Sequence, residues 1–159
     1  MDDTTEGALT FFAVQGALVA ALIHLWEGLP NLLVYLPRGS FVDPRPYLFV
    51  PSALLLLGIL AALYLGKGSD ALYALGAGIL LGYLAGYVWW HLGDHGGFVP
   101  GGHTNASPVA VLAQHLLNDP VEFISKVAEL VGAAAFLGLL VGDTSESTAD
   151  REERGTTAE

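Results

Sequence analysis

Residues 71–92 read ALYALGAGILLGYLAGYVWWHL, a run with no acid, lysine or arginine that ends on His91 and Leu92. A helix rises about 1.5 Å per residue, so about 20 apolar residues cross the roughly 30 Å hydrocarbon core of a bilayer. The run is long enough to do so, and it sets the fold class as membrane-spanning helix. Gly78, Gly82 and Gly86 recur at every fourth position, with Ala74 one step earlier, and make a smooth stripe. Small residues at this spacing let a second helix approach closely in lipid. The stripe is either core of the chain's own bundle or a face for a second copy or a partner membrane subunit.

Three further windows have the same character: Gly7 to Leu29, Phe49 to Leu65, and Val121 to Val141. Phe49–Leu65 is the shortest and sits near the lower limit for a span. The expected fold is a single-domain, all-α integral membrane protein with four transmembrane helices in an up-down-up-down bundle. Residues 1–6 form an acidic N-terminal tail, 7–142 the transmembrane domain, and 143–159 an acidic tail. The first span lacks the basic n-region and short apolar stretch of a signal peptide, so it is expected to be retained.

Composition agrees. Of 159 residues 53% are apolar and only 14% charged, with a mean hydropathy of +0.53, whereas soluble domains carry about 25% charged residues. The net charge of -10 gathers at the ends. Acidic, Ser/Thr-rich tails of this kind read as solvated and disordered, and acid-rich, lysine-poor composition would suit a halophilic source. Without a basic patch, no nucleic-acid partner is expected. The absence of cysteine removes disulfides, thiolate ligands and cysteine nucleophiles. A metal would therefore be held by imidazole and carboxylate.

An even number of spans puts both termini on one face of the cell membrane. Lys67, Arg151 and Arg154 share the terminal side, against Arg38 and Arg45 opposite with Lys126 just inside span four, so the positive-inside rule is nearly balanced; the acidic tail and its two arginines favour termini in the cytoplasm. The short turn Gly66-Lys67-Gly68-Ser69 should make spans two and three antiparallel neighbours, with Ser69 or Asp70 as N-cap. Pro30, Pro37, Pro44 and Pro46 predict an irregular connection after the first span. Ser107-Pro108 predicts an N-cap and first helical position for a short interfacial helix between spans three and four.

All five histidines are expected toward the face opposite the termini. His24 closes span one, His91 and His95 close span three, and His103 and His115 follow in the loop. His24 and Glu27 share a helical face, as do His91, Asp94 and His95, while Glu122, Ser125 and Glu129 line up with Lys126 beside them. His24 lies roughly 7–8 Å inside its window and Glu129 roughly 12 Å inside its own. A carboxylate that deep costs at least about 2.5–3.5 kcal/mol on insertion scales and calls for a partner.

The expected metal ligands are His24, His91 and His95, with Glu27, Asp94 or Glu129 as carboxylate ligand or supporting partner. That donor set suits zinc, iron, copper or manganese. Haem b held between His24 and His91 is the alternative cofactor. A chain with no cofactor, serving as an accessory or structural subunit through its glycine stripe and its aromatic cluster (Tyr83, Tyr87, Trp89, Trp90), is the third reading. In that case Glu122 and Glu129 simply pair with Lys126, and His115 is an interfacial residue. No catalytic residue, substrate motif or family resemblance emerges from the sequence.

Overall fold

The computed structural model describes residues 1–92 and 107–156. Asp94, His95 and His103 lie outside them. The order is α1 (Asp3–Tyr35), a 3-10 turn (Leu36–Arg38), α2 (Arg45–Tyr64), α3 (Asp70–Leu92), α4 (Pro108–Asn118) and α5 (Pro120–Thr156), with no strand among the described residues. Four stretches are long and apolar enough to cross a membrane: Asp3–Arg38, Arg45–Tyr64, Asp70–His91 and Pro120–Gly142. The helix of α5 also continues past the apolar window into the acidic C-terminal segment.

The helix ends follow local chemistry. Asp2 caps α1 by accepting from the Thr5 amide at 2.9 Å, and this bond holds the Asp2 carboxyl below the usual carboxylate range. Ser69 Oγ accepts from the Leu72 amide at the start of α3, Ser107 Oγ accepts from Ala110 ahead of α4, and Asp119 accepts from Val121 and Glu122 at the start of α5. At the end of α2, Gly66 takes φ 70°. Its amide donates to the Leu63 carbonyl and that of Lys67 to the Ala62 carbonyl, the paired bonds of a Schellman motif.

The connection after span one departs from expectation. α1 runs through Pro30 to Tyr35 instead of stopping at the proline. Proline removes the amide that would bond the Trp26 carbonyl and crowds it. Side chains support the turns that follow: Asn31 Nδ2 donates to the Glu27 carbonyl at 3.1 Å, and Arg38 Nη1 to the Val34 carbonyl at 2.8 Å.

Packing is uneven. α1 lies extensively against α5 and α2, and α3 against α5. The core is small-residue on α1 (Ala13, Ala17, Ala20) and bulkier opposite, with Leu56, Leu80 and Phe136 fully buried. α2 and α3 touch only slightly despite their short connection. The turn fixes where one helix ends and the next begins, but shared packing on α1 and α5 draws the two apart.

The closest helix crossing is not at the expected stripe. It lies between Gly16 of α1 and Gly132 of α5, where a Cβ on Gly16 would sit 2.6 Å from the Ala128 carbonyl oxygen and 2.7 Å from the Gly132 Cα. At Gly78, Gly82 and Gly86 an added Cβ would meet nothing within 4 Å. The stripe is therefore not core of this chain's own bundle.

Candidate functional site

The polar residues of the spans separate into two groups beside one cavity of about 720 Å³, lined by α1, α2, α3, α5 and the segment before α2. The inner group centres on Glu129, which is 0% exposed. Ser125 Oγ donates to it at 2.7 Å, and Lys126 Nζ to its two oxygens at 2.6 and 2.7 Å. Both donors come from the residue's own helix, one turn back, where side chains three and four apart are neighbours. They give a buried carboxylate the charge partner and hydrogen bonds it needs in a medium of low dielectric.

His24 completes this group from α1, with Nε2 3.7 Å from Glu129 Oε1. Its Nδ1 lies 2.9 Å from the Ala20 carbonyl oxygen. Only a protonated Nδ1 can donate there, so the bond selects the tautomer. The ring stacks on Tyr83 at 3.7 Å and 9°, with Phe49 edge-on at 4.5 Å. Ser52 Oγ and the Tyr83 hydroxyl share a hydrogen bond of 2.7 Å. His24 is thus stacked on Tyr83 with Phe49 at its edge, and its Nε2 faces a carboxylate.

The outer group is assembled from three helices. Among the described residues, His91 of α3, His115 of α4 and Glu122 of α5 offer ligand atoms that all lie within 4.8 Å of one another. His91 Nε2 stands 3.5 Å from Glu122 Oε1. Its Nδ1 donates to the Tyr87 carbonyl at 3.0 Å, the arrangement by which a ligating histidine fixes its ring and keeps Nε2 as the donor atom. The His115 ring centre lies 4.4 Å from that of His91.

Second contacts hold the three helices together here. The Tyr87 hydroxyl donates to the Leu112 carbonyl of α4 at 3.3 Å, and Lys126 Nζ lies 5.2 Å from the centre of the Tyr87 ring. Asp119, which ends α4 and starts α5, sets Glu122 on the first turn of α5 with its carboxylate toward His91. Ligands at about 2.0–2.2 Å from zinc stand roughly 3.4 Å apart at a tetrahedral centre. The His91–Glu122 separation already matches that edge. Two imidazoles and a carboxylate leave a fourth position open, as in catalytic zinc sites.

Four of the six expected ligands have a place among the described residues. His91 belongs to the outer group. His24 and Glu129 face each other in the inner one, and Glu27 lines the cavity. Asp94 and His95 lie outside the described residues. The pairing expected of Lys126 holds for Glu129, whereas Glu122 faces His91. Sequence reasoning passed over His115 and Glu122 as a ligand pair. They are seven residues apart, two helical turns, with the Asp119-Pro120 break between them. That spacing is the one local signal that could have linked them.

His91 and Glu122 line both the outer group and the cavity, so a group bound between them would reach into it. No protein-family model, no curated protein and no solved structure matches this chain, and its functional reading rests on this geometry.

Proposed function

We propose that this chain is a multi-pass membrane protein that binds one divalent or redox metal ion through His91, His115 and Glu122. The observation that carries the reading is the meeting of three ligand atoms, from three separate helices, within 4.8 Å. Zinc, iron, copper and manganese all accept this donor set, and softer ions that want thiolate do not. His24 and Glu129 serve as a buried supporting pair behind the site. The bundle runs up-down-up-down in the cell membrane with its termini in the cytoplasm. α4 lies in the interface on the far side, and the metal site sits at that face.

The test is elemental analysis of protein purified in mild detergent without a histidine tag. About one equivalent of zinc, iron, copper or manganese that survives a chelator wash is expected. In His91→Ala it should be gone, with helical content unchanged. A metal-free protein that also fails to take up zinc on reconstitution would overturn the reading.

A second reading draws on a separate observation. Gly78, Gly82 and Gly86 pack against nothing within 4 Å in this chain, which is what a helix face kept for a partner subunit would show. Co-purification of a stoichiometric membrane partner, lost in Gly78→Leu, would favour an accessory subunit.

A further inference from the structure

The cavity is much larger than a metal ion and its water require. A water's share of liquid volume is about 30 Å³, whereas 720 Å³ lies within the range of about 300–1,000 Å³ seen for small-molecule sites. Charge on its walls is unbalanced. Glu27, Asp43, Asp119 and Glu122 line it, against Arg45 and Lys126. Both cations are already held: Arg45 by Asp43 at 2.8 Å, and Lys126 by Glu129, which does not line the cavity, at 2.6 Å. Among the described residues, Glu122 faces the His91 imidazole with the Lys126 charge farther off, and Asp119 bonds the amides at the start of α5. Glu27 makes no side-chain hydrogen bond or ion pair among the described residues. A cavity at the edge of a low-dielectric medium with surplus carboxylates favours a cation over an anion of the same shape.

Much of the rest of the wall is aromatic (Phe49, Tyr83, Tyr87, Trp89, Trp90) or bare glycine. Trp90 and Tyr87 already carry cations on their faces, with Arg45 Cζ at 4.4 Å and Lys126 Nζ at 5.2 Å from the ring centres. Aromatic faces of this kind hold desolvated cations well. Gly82 and Gly86 also line the cavity without a side chain, and a Cβ on either would meet nothing within 4 Å. These glycines leave space where α2 and α3 separate.

We propose that this cavity binds a hydrophobic organic cation, with its positive centre toward Glu27 and its apolar groups against the aromatic wall and the bare Gly82–Gly86 surface. The site does not depend on the metal reading. Binding of a metal would engage Glu122 but leave Glu27 and Asp119 in place.

The experiment measures binding of two probes of one shape and opposite charge, tetraphenylphosphonium and tetraphenylborate, to the full chain in detergent. Partition into empty micelles is subtracted, and metal content is assayed in the same samples. Saturable one-to-one binding of tetraphenylphosphonium is expected, with tetraphenylborate at least tenfold weaker. Glu27→Gln should weaken the cation at least tenfold and leave metal content unchanged. The double variant Gly82→Leu/Gly86→Leu should lose binding by filling the space, again with metal retained. Equal affinity for both ions, no saturable binding of the cation, or an unaltered affinity in Glu27→Gln would each overturn the proposal. Loss of metal without loss of cation binding would instead count against the metal site alone.

Discussion

His91 donates from Nδ1 to the Tyr87 carbonyl and turns Nε2 toward Glu122, 3.5 Å away. One ring therefore has its orientation set by its own helix and its free-electron side set against a carboxylate of another. His115 brings a third atom of ligand type within 4.8 Å from α4. The arrangement separates two ligand sets by mutation. Removal of His115 or Glu122 (His115→Ala, Glu122→Gln) should weaken metal binding by about 100-fold or more, at the upper end of what even supporting residues cost. His24→Ala should keep the metal. Competition with a chromogenic chelator measures both.

The inner pair predicts a different kind of loss. Lys126→Met would strand the Glu129 carboxylate, which has no exposure. Breaking a buried pair from one side costs about 3–5 kcal/mol, whereas replacing both members by apolar residues is often neutral. Lys126→Met should therefore lower unfolding stability in detergent strongly, and Lys126→Met/Glu129→Leu should recover most of it.

Two glycines should respond in opposite ways. Gly16→Ala drives a methyl to 2.6 Å from the Ala128 carbonyl oxygen, and α1 and α5 must part to admit it, at a cost of about 1–3 kcal/mol. Gly78→Ala meets nothing within 4 Å and should stay within about 0.5 kcal/mol of the parent. Thermal unfolding in one detergent compares them. A large loss at Gly78 would point to a neighbour beyond this chain.

A pH dependence is set outside the spans by Asp43. Burial pushes its carboxyl up, but the hydrogen bonds and charge of Arg45 outweigh this and hold it below the usual range. A carboxyl with a depressed folded value adds stability that is present above its unfolded value of about 3.9 and lost as pH falls through the folded one. Arg45 also lies over Trp90. Acidification below about pH 4 should release that clasp and shift tryptophan emission, and Asp43→Asn should show the shifted emission already at neutral pH.

The spans and their caps were legible because they are local properties. Hydropathy needs only a window of neighbours, and Ser69 and Ser107 act within three residues of themselves. The burial of Glu129 and its pairing with Lys126 were legible for the same reason, being one turn of one helix. What failed depended on distant partners. Gly16 and Gly132 meet across most of the chain, and the small residues spaced by four around them (Gly16/Ala20, Ala128/Gly132) are a weaker mark than the three glycines of Gly78, Gly82 and Gly86. The meeting of His115 with His91 was not legible because the neighbours of His115 on α4 say nothing of how that helix folds back against α3. Pro30 was read as a stop because the side-chain bonds of Asn31 and Arg38 that carry the helix beyond it were not anticipated.

The unbroken length of α1 also sets a waterline. Its 33 residues measure about 50 Å, against roughly 30 Å of hydrocarbon. Counting about 20 residues from Gly7, the first position after the acidic start, brings the far boundary to Trp26, whose side chain is 81% exposed and suited to that boundary. Glu27 is then the first residue above it, and the Trp26 carbonyl that Pro30 deprives of an amide lies where water can reach it. His24 stays less than one turn below. The His24 and Glu27 side chains, less than one turn apart on α1, thus fall on either side of that counted boundary, and both line the same cavity.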